Sequence, residues 1–296
     1  MAKTRSAGLV LALVFAAGLP AAPAHDKSFW REIVNNRYAL PAGEAAYPLA
    51  RELSAALASP DPELRDGLAY EILARWIADP QRFSPEELRS LAEEWGRNLG
   101  AGIGEKEGDA VFRRSFSALC LAELAKRDLA KPFLGADGYR SLLARALEYL
   151  GREEDLRGFD ARKGWIHATA HTADLLASLA GNPLFTRADQ AALLEAAGKR
   201  LRSPVFTYGE QDRLAHAVAA LVAREDFDQE AFAGWLAEMD RGDLLVWREF
   251  PPQLDLLWRY ENSTYFLEAL AAQLAPSERP AARSAQQQIL KALARR

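Results

Sequence analysis

The sequence predicts an all-α fold, an α-solenoid of stacked helix pairs of the HEAT or armadillo kind, and three observations predict it. Apolar residues recur with helical period: Leu64, Leu68, Ile72 and Trp76 at steps of four, and Leu142, Leu143, Ala146, Leu147 and Leu150 along one stripe. No stretch alternates apolar and polar residues with the β-branched enrichment of a strand. Five Ala- or Leu-rich segments, opening at Arg65, Arg114, Lys163, Arg213 and Asn262, start 49, 49, 50 and 49 residues apart. A period of that size accommodates one helix pair, slightly longer than the ~40–47 residues of HEAT and armadillo units. A lone pair leaves its apolar face in water, so the pairs must stack. Strong curvature would close such a stack into an α/α ring, and a non-repeat helical bundle is the remaining alternative.

The elements follow in chain order. Lys3 and Arg5, the uncharged run from Ala7 to Leu19 and the small-x-small triplet Ala22-Pro23-Ala24 make a signal peptide over residues 1–24, cleaved after Ala24. The apolar run is shorter than the ~20 residues a spanning helix needs, so no stable membrane insertion is expected after cleavage. Residues 25–296 then form a single helical-repeat domain in the periplasm or outside the cell. Lys27–Leu57 caps its start and Ala281–Arg296 its end. Between the five segments lie second helices near residues 84–98, 136–150, 186–201 and 228–240. Ser84-Pro85-Glu86-Glu87 is a capping box with proline at the first helical position, Thr186 to Asp189 is a weaker version, and Asp228 can cap the helix after it. Breaks fall at Pro41, Pro60, Pro80, Pro132, Pro183, Pro204 and Pro251-Pro252. Gly100, Gly102, Gly104 and Gly108 make an inter-helix loop, since no strand precedes them as a phosphate-binding loop requires.

Charge and cysteine content exclude some classes. The chain carries −4, and removal of Lys3 and Arg5 takes it to −6. With no basic tail, no nucleic-acid partner is expected. Cys120 is the single cysteine, so an exported chain must be held by its core and not by disulfides.

Three groups of residues could carry chemistry. In Lys163-Gly164-Trp165-Ile166-His167-Ala168-Thr169-Ala170-His171-Thr172-Ala173-Asp174, His167, His171 and Asp174 fall at helical spacing on one face. That spacing can offer two imidazoles to a metal ion, or one imidazole oriented by an acid. It lacks the glutamate of the zincin motif, and two hydrogen-bonded core histidines would look the same. In Tyr208-Gly209-Glu210-Gln211-Asp212-Arg213, Glu210 and Asp212 suit a helix N-terminus, and stacking would bring them beside the histidines. The basic column Arg65, Arg114, Lys163 and Arg213 runs against the helix dipole. It reads as a ladder tying neighbouring pairs through acids and carbonyls, or else as a surface for an anionic partner.

The segments around His167 and Arg213, with Leu64-Arg65-Asp66-Gly67-Leu68-Ala69-Tyr70 and Arg114-Ser115-Phe116, resemble a bacterial family of uncharacterised proteins, domain of unknown function 2785. The likeness spans most of the chain after the leader and is most specific around His167. It implies a helical, repeat-like fold and brings no activity with it. Many members lack a signal peptide, so the leader here is a departure and points away from a cytoplasmic role.

Two functions follow from these readings. The first is a binding or scaffold module with a polar pocket between the third and fourth repeats, holding a peptide, glycan or protein partner, with Lys163, Trp165, Tyr208 and Arg213 as ligand contacts. The second is a hydrolase-like enzyme in the same pocket. There His167 would be base or metal ligand, His171 its partner, Asp174 an orienting acid, Glu210 or Asp212 a second acid and Arg213 an anion clamp. The sequence demands no cofactor; a divalent metal on His167 and His171 is the one it could accommodate.

Overall fold

The structure is a computed structural model and describes residues 25–296; the leader assigned to residues 1–24 lies outside the described residues. Twelve α-helices run through the described residues. α1 (Lys27–Asn35) and α2 (Ala46–Ala56) pack at the start of the chain against a π-helical stretch, Glu63–Tyr70, that runs directly into α3 (Glu71–Ala78). The pairs follow: α4 (Pro85–Asn98) completes the first, α5 (Ala110–Ala130) and α6 (Gly135–Arg152) the second, α7 (Ala168–Ala180) and α8 (Arg187–Arg200) the third. α9 (Glu210–Val222) and α10 (Gln229–Asp243) make the fourth, and α11 (Leu254–Leu274) and α12 (Pro280–Leu293) the fifth.

The stacking is visible in which helices touch. The first helices form one layer, with α3 on α5, α5 on α7, α7 on α9 and α9 on α11; the second helices form another, α4 to α6 to α8 to α10 to α12. α5 and α7 are buried on nearly all sides because each is sandwiched between two neighbours of its own layer. Their alanines, Ala118, Ala122, Ala170 and Ala173 among them, suit that position, since small side chains let backbones approach and still fill space. Large side chains fill the space between layers: Trp76, Trp95, Phe112, Phe116, Phe232 and Phe266 are all essentially inaccessible.

The caps behave as their residue types require. Ser84 with Glu87 and Thr186 with Asp189 both form complete capping boxes, and Asp228 accepts from the Ala231 amide. Among the described residues no helix is long and apolar enough to cross a membrane.

One element departs from the all-helical expectation. Before α7 the chain makes a small antiparallel hairpin, β1 (Phe159–Asp160) and β2 (Gly164–Trp165). Its anchor is Arg65, 0% exposed, which reaches out of the first pair to donate to the carbonyls of Lys163 (2.6 Å) and Trp165 (3.0 Å), while its other arm holds Ser59 (2.7 Å). Arg65 has no carboxylate within ion-pair distance among the described residues; the faces of Phe112 and Phe116, 4.0 and 4.7 Å from its guanidinium carbon, take that place. Burial lowers its pKa to about 10. Gly164 sits at φ +73° with Pro62 2.9 Å from where a Cβ would stand, so a side chain there would be both strained and obstructed.

Candidate functional site

The layer of first helices carries an open groove of about 500 Å³ lined by every pair in the stack. Tyr70 comes from the π-helical stretch, Glu123 and Lys126 from α5, His171 and Asp174 from α7, Asp212, Arg213 and His216 from α9, and Gln273 from α11. These polar residues are legible as exceptions on helices otherwise rich in Ala and Leu. Only Leu119 among the lining residues is aliphatic.

Two of the three carboxylates in the groove are paired with a cation, and the third is held by an amide. Arg213 grips both oxygens of Asp174 at 3.0 and 2.9 Å, tying α9 to α7. Lys126 holds Glu123 at 2.8 Å, Tyr70 reaches the same carboxylate at 3.4 Å, and Gln273 donates to Asp212 at 3.1 Å. Burial raises the pKa of Asp174, against the opposing pull of Arg213, His216 and Lys126.

His171 is held neutral and in one tautomer. Ser115 donates its single hydroxyl proton to the Ile166 carbonyl, so at 2.8 Å from His171 Nδ1 it can only accept, and the imidazole proton is on Nδ1. Nε2 is therefore an acceptor. Burial, and then the neighbouring His167, lower the pKa of His171 to about 3. Phe116 packs edge-to-face on the ring at 5.0 Å.

His167 differs from the expectation. It does not share a helical face with His171 and Asp174, because it is the residue before α7, in the left-handed region at φ 46°. The backbone turns there because the hairpin ends at Trp165 and the Ile166 and His167 amides both bond back to the Gly158 carbonyl. The His167 ring stacks on Trp165 (centroids 4.3 Å apart) and meets His171 edge-on at 5.8 Å. Its Nε2 lies 3.1 Å from the Tyr208 carbonyl, so Nε2 carries the proton, and 3.8 Å from Glu210. Burial lowers the His167 pKa and raises that of Glu210, which accepts from the Tyr208 amide at 3.0 Å.

The residues expected in one pocket thus divide between two places. His171, Asp174, Asp212 and Arg213 line the groove, which spans all five pairs and not only the third and fourth. Lys163, Trp165, His167, Tyr208 and Glu210 gather at the hairpin, where Phe159 joins them. Phe159 and Trp165 are each 41% exposed and Tyr208 47%, with centroid separations of 4.9, 6.1 and 6.2 Å. Lys163 pairs with Asp109 beside them. Phe159 belongs to the loop Asp155-Leu156-Arg157-Gly158-Phe159-Asp160, which precedes the histidine segment and could be expected from the sequence to cover the pocket.

For a metal ion, His171 keeps Nε2 and His167 keeps Nδ1 free of a proton, while the other nitrogen of each is engaged by Ser115 and the Tyr208 carbonyl, a pattern open to a ligating as well as to a structural histidine. Among the described residues no three His, Cys, Asp or Glu side chains come together as a metal centre would need. The basic column resolves into ties. Arg65 binds carbonyls, Arg114 pairs with Glu153, Lys163 with Asp109 and Arg213 with Asp174.

No curated protein and no solved structure matches the chain. The sequence model of a family described as protein of unknown function (DUF2785) matches residues 99–272, more than half of the 296 residues and the whole span from the second pair's glycine loop to α11, and the chain belongs to that family.

Proposed function

We propose that the protein is a binding module whose groove holds an oligosaccharide. The observation that carries this is the lining. It offers three carboxylates, a guanidinium, an ammonium, an amide and two ring nitrogens, two of the carboxylates paired with the cations and the third, Asp212, held by Gln273, with one leucine as the only aliphatic contact. A hydroxyl-rich, uncharged ligand satisfies such a surface, since each hydroxyl both donates and accepts. A peptide held by buried anchors would need apolar pockets that this lining lacks.

The hydrolase reading draws less support. His171, with its pKa near 3, is a weak base at neutral pH, and Asp174 is engaged by Arg213 on both oxygens. Nothing in the pairings favours a nucleophile or a general acid over a contact surface.

Calorimetry with soluble cello-, chito- and malto-oligosaccharides tests the proposal. One series is expected to bind saturably, and Asp174→Asn and Arg213→Gln are each expected to weaken it by about tenfold or more, the cost of a charge-assisted hydrogen bond. Saturable binding of an unstructured peptide, with every sugar silent, would assign the groove to polypeptide instead.

We infer from the leader read in residues 1–24 that this ligand lies outside the cytoplasm. Cell fractionation should recover the chain in the envelope or medium with His25 as its first residue. Recovery from the cytoplasm with Met1 or Ala2 first would refute export.

A further inference from the structure

We propose that the aromatic cluster at the hairpin is a stacking platform for a pyranose ring, a second subsite of the same oligosaccharide; this rests on the groove reading above.

Three large aromatics from two separate loops stand in solvent: Phe159 and Trp165 on the hairpin and Tyr208 before α9. Scattered exposed apolar residues need no explanation, but a contiguous patch does. The rings touch one another. Phe159 and Tyr208 both meet the Trp165 indole steeply, at 69° and 84°. A cluster so packed leaves no cage between rings to enclose a cation; only its outward surfaces are open. One face of a sugar ring presents polarised C–H bonds that suit the negative face of an aromatic ring. Its hydroxyls project from the ring's rim, where Asp160 on the hairpin and the neighbouring Lys163–Asp109 pair are at hand.

The cluster is held in place at a cost that a surface loop does not require. Arg65, fully buried and without a carboxylate at ion-pair distance among the described residues, gives two hydrogen bonds to the hairpin carbonyls of Lys163 and Trp165. Gly158 lies so close to Tyr208 that an added Cβ would stand 2.5 Å from its ring, fixing Tyr208 against the hairpin. His167 braces Trp165 from behind. Rigid presentation of aromatic rings reduces the entropy lost on binding, which is the advantage of preorganisation.

The platform is joined to the groove. His171 lines the groove, His167 meets His171 at 5.8 Å, and Trp165 stacks on His167 at 4.3 Å. A chain of sugars that occupies the groove can reach the indole within a few units, so ligand length is the variable that separates the two subsites.

The test is calorimetry of the full chain from His25 with one oligosaccharide series, disaccharide to hexasaccharide. The wild type should gain about tenfold in affinity with length, the worth of one ring stacked on an aromatic face. Trp165→Ala and Tyr208→Ala should remove that gain and leave disaccharide affinity unchanged. Trp165→Phe, which keeps an aromatic face, should restore part of it. Hexasaccharide binding as tight in Trp165→Ala as in the wild type would overturn the platform alone. Failure of every saccharide would overturn the groove reading and this one with it. Length-dependent binding of a polyproline peptide in place of the sugars would assign the rings to polypeptide and likewise overturn the proposal.

Discussion

Arg114→Ala is expected to remove about 3–5 kcal/mol of folding stability. The Arg114 side chain is 0% and that of Glu153 2% exposed, and the two meet in a bidentate pair at 2.6 and 3.0 Å. The guanidinium also satisfies the carbonyls of Ala101 and Gly102 at 3.0 and 2.9 Å, which closes the glycine-rich loop before α5 onto the end of α6. Deleting the cation strands a buried carboxylate and two carbonyls, so the loss is mostly the penalty of what remains and not the worth of the pair. The double variant Arg114→Met/Glu153→Gln should therefore be more stable than Arg114→Ala alone. Urea denaturation of the wild type, Arg114→Met, Glu153→Gln and the double variant gives the coupling directly. A loss below about 1 kcal/mol for Arg114→Ala would mean the pair behaves as a surface ion pair and would contradict its burial.

The second large effect is on the acid side. His171 has a folded pKa of about 3 against an ordinary value near 6.5, because burial penalises its charged form. A depressed pKa means the unfolded chain takes up the proton first. The stability that neutral His171 contributes is thus complete above pH about 6.5 and is lost as pH falls from there toward 3. At about 1.4 kcal/mol per pH unit, the loss is about 2 kcal/mol by pH 5. His167, also depressed by burial, acts in the same direction. Asp174 and Glu210 act oppositely. Burial raises their pKa values, so protonating them favours the fold. The informative quantity is therefore the difference between proteins. His171→Gln keeps a donor for Ser115 and should flatten the stability profile between pH 6.5 and 5 relative to the wild type. Parallel profiles for the two proteins would mean that His171 is not the group being charged.

The helix pairs were legible because their signals are local. Capping at Ser84, Thr186 and Asp228 and the breaks at the prolines depend on a few neighbouring residues, and the structure keeps all of them. The hairpin was not legible. Its strands have two residues each, too few for an alternating pattern, and they are held by Arg65 from about 100 residues away. His167 fell outside its expected helix for the same reason, since a left-handed turn at a non-glycine residue leaves little trace in sequence.

The groove was half legible. The period of 49 residues found the right helices, yet it did not align them in space. α5 begins four residues before Arg114, whereas α7 begins five residues after Lys163, because the hairpin occupies the difference. Residues that share an alignment column therefore do not share a height along the stack. Glu123, Lys126, His216 and Gln273 were passed over although each is a polar exception on an apolar helix, and that was the signal available.

The reach of Arg65 also bears on how the chain folds. In an ideal repeat array each unit touches only its neighbours, so stability is a sum of unit and interface terms and folding can begin anywhere. Arg65 breaks that scheme by bonding the first pair to the hairpin that opens the third, past the second. The three N-terminal pairs are thereby coupled into one cooperative block, in which partial unfolding of the first pair also releases the hairpin. The fourth and fifth pairs have ties of their own: Tyr208 before α9 packs on the hairpin with its carbonyl held by His167, and buried Asn262 of α11 donates to the Leu201 and Ser203 carbonyls just after α8, so fraying from the C-terminal side has to break these bonds as well.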